Sequence, residues 1–361
     1  MNIRMSLALA AMLTAFSLSG VAQTGSSTYL DHAADGITTL QGWYNPSTGL
    51  YNTTGWWNSA NAITVLGNYS LAANTMQYAS TLSNTFAAAQ NTNPGFINHY
   101  YDDEGWWALA WINAYDLTHN PQYLAMAESI FADIAGGWDT TTCGGGVWWS
   151  KDRTYKNAIA NELFLSVAAH LANRTREPQR TQYANWSRRE WNWFSASGMI
   201  NAQNLINDGL NSSNPGACTN NGQTTWSYNQ GVILGGLAEY SMFNHDPSLL
   251  ARAAQIAKAA ITHLTDANGI LHDPCEPNCG ADGPQFQGVF ARNLMRLYRT
   301  VPSPAYLSFA GKNADSIWKT DQGANYSFGL IWSGPFDSAD AARQSSALDA
   351  IVAAAMMSRD H

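Results

Sequence analysis

Asp102 and Asp103 are consecutive carboxylates in an aromatic stretch, preceded by Tyr100 and Tyr101 and followed by Trp106 and Trp107, with little countercharge nearby. Two acids opening a helix meet the positive end of its dipole, a structural use worth about 0.3–1 kcal/mol each at exposed sites. Their surroundings point to a second use. Adjacent Cα atoms lie about 3.8 Å apart, and successive helical side chains diverge by about 100°. The two carboxyl groups then sit roughly 5–6 Å apart, near the value for retaining glycoside hydrolysis and below the roughly 6.5–9.5 Å of inversion. Such a pair divides its labour: the helix terminus holds one group ionised as a nucleophile. Repulsion and an apolar wall raise the pKa of the other, which stays protonated as a general acid.

Other chemistries fit less well. The chain has no Gly-x-Ser-x-Gly elbow, no phosphate loop and no His-Glu-x-x-His pair. Gly144-Gly145-Gly146 lacks the lysine and helix start of a phosphate cradle. It reads as a turn, either purely structural or one that brings Trp148 and Trp149 toward a cleft. His99 lies near the acid pair and reads as a surface or capping residue. No metal and no cofactor are expected.

Elements must bring these groups together, and their signals are helical: Ala, Leu, Trp and Tyr recur three and four residues apart, while strand signals are weak. The pattern predicts about twelve helices, at 28–41, 56–72, 74–90, 102–117, 121–135, 155–173, 177–196, 225–243, 247–264, 284–300, 302–318 and 341–357. Asn120-Pro121 and Asp246-Pro247 place an N-cap before a proline at the first helical position. Links after even-numbered helices are short, as between antiparallel neighbours, whereas those before them run from about a dozen to nearly thirty residues. With alternating helix directions, every long loop emerges on one face, at the N-terminal ends of the even helices, where a binding site is expected. Six hairpins of this kind close into an all-α double barrel, an inner ring within an outer one. The alternative is a linear solenoid; the absence of a fixed repeat length favours closure.

The even helices open with polar and aromatic side chains: Trp56, Trp57 and Asn58; Tyr101, Asp102, Asp103, Trp106 and Trp107; Asn157, Asn161 and Glu162; Tyr228, Asn229 and Gln230. With Trp148 and Trp149 from a long loop, these are the candidate substrate-binding residues. Aromatic faces stack on sugar C–H patches and amides satisfy hydroxyls, so a neutral glycan is the expected ligand.

The 361 residues are 45% hydrophobic and only 12% charged, which suits a large core and excludes disorder. A formal charge of −8 repels a nucleic-acid backbone or an anionic membrane surface. Residues 1–22 read as a secretory signal, with Arg4, an apolar run from Leu7 to Leu18, and Gly20 and Ala22 at the cleavage site. Residues 23–361 form one expected catalytic domain. The C-terminus carries no apolar tail for a lipid anchor, so a secreted, unanchored monomer is expected. Four cysteines suit an oxidising compartment. Of three possible connectivities, Cys143–Cys218 with Cys275–Cys279 is preferred, and the spacing does not match a structural zinc site.

The stretch Tyr101-Asp102-Asp103-Glu104-Gly105-Trp106-Trp107-Ala108-Leu109-Ala110-Trp111 closely resembles the catalytic segment of glycoside hydrolase family 76, the endo-α-1,6-mannanases. Gly145-Gly146-Val147-Trp148-Trp149, Lys156-Asn157-Ala158-Ile159-Ala160-Asn161-Glu162-Leu163, Tyr228-Asn229-Gln230-Gly231 and Gly288-Val289-Phe290-Ala291-Arg292 are similar too. The resemblance implies an (α/α)6 barrel and a retaining enzyme acting on α-mannan, with Asp102 as nucleophile and Asp103 as general acid/base. A mannan transglycosylase and a non-catalytic carbohydrate-binding protein are the competing readings of the same cleft.

Overall fold

The structure, a computed structural model, describes residues 15–212 and 218–359, with side chains from residue 25 onward. Among these are twelve α-helices: α1 (Ala15–Gln41), α2 (Trp56–Ala73), α3 (Ala79–Ala88), α4 (Tyr101–Thr118), α5 (Pro121–Ala135), α6 (Ala158–Arg174), α7 (Gln179–Ala196), α8 (Ser227–Ser241), α9 (Pro247–His263), α10 (Phe286–Thr300), α11 (Pro304–Thr320) and α12 (Ala341–Arg359). Helices α5 and α9 start as expected: Asn120 accepts the Gln122 amide at 3.1 Å, and Asp246 accepts that of Ser248 at 2.9 Å.

Most boundaries lie within three residues of the sequence reading, and the starts of α1 and α3 differ by more. Helix α1 is already helical at Ala15, the first described residue, rather than from Thr28, since the Ala- and Ser-rich stretch before Thr28 contains no proline to stop it. Residues 1–14 of the expected signal, and Asp360 and His361, lie outside the described residues. Helix α3 begins at Ala79 rather than Asn74, because Asn74 adopts a left-handed conformation (φ 51°) that ends α2. Helix α11 takes Pro304, not Pro302, as its first residue, with Ser303 at the N-cap.

The even helices form a closed ring: each packs against the next, and α12 returns to α2. Helices α1, α5, α7, α9 and α11 pack outside it. Burial follows this division. Every residue of α6 from Ala158 to Ala172 is buried, whereas α9 buries the stripe Leu249, Ala253, Ile256, Ala257 and Ala260. Inner helices approach closely where glycine removes a side chain. A Cβ on Gly231 would lie 2.6 Å from the Phe290 Cα, and one on Gly288 2.5 Å from that of Ser346. This is the expected (α/α)6 double barrel, and no described helix is long and apolar enough to cross a membrane.

The long loops fold back through short antiparallel pairs. One hairpin pairs β1 (Tyr44–Asn45) with β2 (Leu50–Tyr51), and another pairs β3 (Leu210–Asn211) with β4 (Thr219–Asn220). Single bridges join Trp138 to Val147, Ile200 to Ile206, Thr265 to Leu271 and Gln322 to Phe328. Disulfides Cys143–Cys218 and Cys275–Cys279 cross-link the loops in the preferred pairing.

Candidate active site

The loops surround a cavity of about 550 Å3 over the N-terminal ends of the inner helices, and Asp102 and Asp103 both line it. Its apolar wall is a set of packed rings: Trp57 lies 5.6 Å from Trp106, and Tyr228 stacks on Phe286 at 3.9 Å. Beneath Trp106, the Arg292 guanidinium sits 5.7 Å from the ring centroid and pairs with the buried Asp349 at 2.8 Å. Asn61 accepts a further bond from Arg292. The remaining lining residues are Tyr100, Trp149, Tyr155, Asn157, Asp208 and Asp282, so no lysine or arginine lines the cavity among the described residues.

Each carboxylate of the pair is half-buried and held. Asp102 accepts the Trp149 indole N–H at 3.0 Å and the backbone N–H of Asp103 at 3.1 Å. Asp103 accepts from the Asn98 side-chain amide at 2.7 Å. Burial, and then the charge of Asp103, push Asp102 well above the usual carboxylate range; burial raises Asp103 to about 6, with Asp282 adding to the rise. The two groups therefore bind a proton as a pair at mildly acidic pH. The two N–H donors on Asp102 and the one on Asp103 each oppose that rise by stabilising the charged form. Both side chains face the cavity, and neither pairs with an arginine among the described residues.

Of the other sequence candidates, Trp57, Trp106, Trp149, Asn157 and Tyr228 also line the cavity. The rest lie behind it. Trp56 packs on Trp107, which is fully buried against Phe96 and Trp111. Asn58 accepts the Gly55 amide and caps α2. Tyr101 is buried beneath the Lys151 ammonium, and Trp148 beside that of Lys156. Glu162 and Asn229 are buried within α6 and α8.

Asn161 and Gln230 have a different task. Asn161 accepts from the Val147 N–H at 2.6 Å and donates to the same residue's carbonyl at 3.0 Å. Gln230 does the same for Ile206, at 2.8 and 2.9 Å. Related contacts recur around the ring: Gln287 donates to the Leu271 carbonyl at 2.9 Å, and Gln344 accepts from Phe328 at 2.8 Å. A buried amide in the first turn of each of these inner helices thus anchors the returning limb of the preceding loop. The signal is legible once the positions are aligned, since an amide stands at 161, 230, 287 and 344 near the start of each segment.

Sequence reasoning passed over Tyr155, Asp208 and Asp282. Asp208 accepts from the Tyr155 hydroxyl at 2.5 Å and the Trp226 indole at 3.1 Å, and Asp282 accepts from the Trp57 indole at 2.8 Å. All three aspartates outside position 103 are thus held by a tryptophan N–H at the cavity wall. Gly283, next to Asp282, lies against the Cys275–Cys279 disulfide, where an added Cβ would be 2.6 Å from the Cys279 Cβ.

The loop that delivers Trp149 is built around Lys156. This buried ammonium donates to the carbonyls of Asp139, Thr142 and Gly145 at 2.7, 2.6 and 2.5 Å, and burial lowers its pKa to about 8. Within the same turn Gly146 (φ 88°) lies under the Trp193 ring, 2.3 Å from where a Cβ would stand. Replacing Lys156 with alanine orphans three buried carbonyls, at an expected cost of about 3 kcal/mol. Thermal denaturation should show a melting temperature lower by roughly 4 °C. Lys156→Arg should not restore it, because a planar fork does not match three acceptors converging on a point.

Comparison with known proteins agrees with this architecture. The family model described as glycosyl hydrolase family 76 matches residues 9–361. A mannan endo-1,6-alpha-mannosidase of Saccharomyces cerevisiae is 28% identical over 64% of this chain and 54% of its own length. One from Candida glabrata is 30% identical over 56% of this chain and 47% of its own. The chain thus spans about half the length of these curated relatives. Among solved structures, an inactive variant of an alpha-1,6-mannanase of Salegentibacter sp. in complex with alpha-1,6-mannotetrose superposes with a TM-score of 0.83 at 19% identity, covering 91% of this chain and 99% of that one. Dfg5 from Chaetomium thermophilum, in complex with glucosamine, gives 0.80 at 20% identity over 91% and 90%. With a family match that covers nearly the whole chain and a barrel that carries the acid pair at its open end, the protein belongs to glycosyl hydrolase family 76.

Proposed function

We propose that the protein is a secreted, monomeric, retaining endo-α-1,6-mannanase, with Asp102 as nucleophile and Asp103 as general acid/base. The observation that carries this reading is the pair of adjacent, half-buried carboxylates facing one aromatic cavity with no cation in its lining. Asp102 attacks the anomeric carbon as the glycosidic C–O bond breaks, and Asp103 gives its proton to the departing oxygen. Asp103 then takes a proton from water, whose oxygen attacks the same carbon and releases Asp102. The cavity suits this sequence: rings stack on the sugar, and the carboxylates of Asp208 and Asp282 accept from hydroxyls. The relatives named for mannan endo-1,6-alpha-mannosidase activity support α-1,6-mannan as the substrate. So does the inactive Salegentibacter variant, whose two replaced residues are consecutive aspartates. Secretion is supported by the N-terminal signal pattern.

Incubation of the purified protein with unbranched α-1,6-mannan tests the reading: short oligosaccharides are the expected product. Binding without cleavage would establish a carbohydrate-binding protein instead, and products longer than a short donor would establish transfer. The pH profile follows from the pair. The acid must be protonated, so kcat/KM should decline about tenfold per pH unit above the pair's upper pKa, near or above pH 6.

A further inference from the structure

We propose that Asn98, in the loop before α4, is a positioning residue for the reaction, holding the Asp103 carboxyl through a direct hydrogen bond as it alternates between acid and base. The inference rests on the mechanistic reading above. Asn98 is fixed on three sides. Its side-chain N–H donates to Asp103 Oδ2 at 2.7 Å, and its side-chain carbonyl accepts the Tyr100 backbone N–H at 2.8 Å. The Tyr100 donor sets the orientation of the amide, since a flipped side chain would place oxygen against a carboxylate and N–H against N–H. Its backbone N–H donates to Glu104 Oε1 at 3.1 Å. Glu104 is itself fully buried and bound by the Lys151 ammonium at 3.0 Å, which also reaches Asp133 at 2.9 Å. Consecutive residues of α4 therefore grip the two ends of Asn98, Asp103 the side chain and Glu104 the main chain.

This geometry matters because Asp103 changes charge twice per turnover. An amide N–H bonds a carboxylate more strongly than a carboxylic acid, so Asn98 steadies the form that must activate water. The other charged groups near Asp103 are Asp102 beside it and Asp282 across the cavity, both of which disfavour its charge, and the Glu104–Lys151–Asp133 cluster behind it. The His99–Asp152 pair lies on the exposed side of the same loop. Asn98 is the neutral donor that opposes burial at this carboxyl.

Two variants separate positioning from folding. Asn98→Asp keeps an oxygen for the Tyr100 N–H and loses the donor, whereas Asn98→Ala loses both. The basic limb of kcat/KM on α-1,6-mannooligosaccharide should move up by about one pH unit in both, further in Asn98→Asp, with kcat at neutral pH lower by about tenfold. Direct titration of the Asp103 carboxyl carbon by NMR should shift upward by the same amount, and this readout needs no substrate. A uniform loss of activity with an unmoved limb, or an unmoved Asp103 titration in a folded variant, would overturn the proposal. Failure of the wild type to cleave α-1,6-mannan would instead remove the substrate reading, and the carboxyl titration would still decide whether Asn98 acts on Asp103. If Asn98→Ala fails to fold, Asn98→Ser, which is neutral and keeps a hydroxyl oxygen as acceptor for the Tyr100 N–H, takes its place, since Asn98→Asp also adds a like charge beside Asp103.

Discussion

Asp102→Asn should lower turnover of α-1,6-mannan by at least about 10^4-fold, because the amide removes the nucleophile and leaves only binding and acid catalysis. The same change should leave the melting temperature unchanged or raise it by a few degrees. Burial and the neighbouring Asp103 raise the Asp102 pKa in the folded state, so the folded protein holds more protons than the unfolded chain above the ordinary carboxylate range. Stability then falls as pH rises through that interval, and at neutral pH the charged pair is a cost. Asparagine is nearly isosteric with aspartate and cannot ionise, so that cost disappears. Parallel kinetics and calorimetry separate this outcome from simple unfolding. A melting temperature lowered by many degrees would mean that Asp102 serves the fold instead.

Asp103→Ala should reduce kcat on mannan by about 10^2–10^4-fold, the contribution of a positioned acid/base. Two observations distinguish it from Asp102→Asn. An aryl mannobioside with a good leaving group needs no proton donor in the first step, so its cleavage by Asp103→Ala should recover and accumulate the covalent intermediate. Azide, which needs no general base, should then accelerate the second step and give a glycosyl azide of retained configuration. Neither rescue should occur with Asp102→Asn. If the two variants exchanged behaviour, the roles within the pair would be reversed while the site itself stood.

The barrel was legible because each of its features is local: apolar period, proline at a helix start, and loop length are all read within a few residues. The acid pair was legible for the same reason, since adjacency on one helix places both groups at one end of it. Individual wall residues were less so. Trp106 and Trp107 look alike in the chain, yet helical geometry turns one to the cavity and the other into the core beside Phe96. Asn161 and Gln230 fit a sugar-binding pattern because an amide that satisfies hydroxyls and one that satisfies a loop backbone have the same chemistry. Only the fold reveals which partner is present. Asp208, Asp282 and Asn98 escaped notice because they stand in loops whose course is set by distant contacts: the Trp226 indole, the Trp57 indole and the main chain before α4.

The most direct test is the anomeric configuration of the first product, followed by proton NMR immediately after enzyme is added to an α-1,6-mannooligosaccharide. A double displacement through Asp102 predicts that the α-anomer appears first and the β-anomer grows in only by mutarotation. Initial release of the β-anomer would contradict the covalent role of Asp102 and the mechanism built on it.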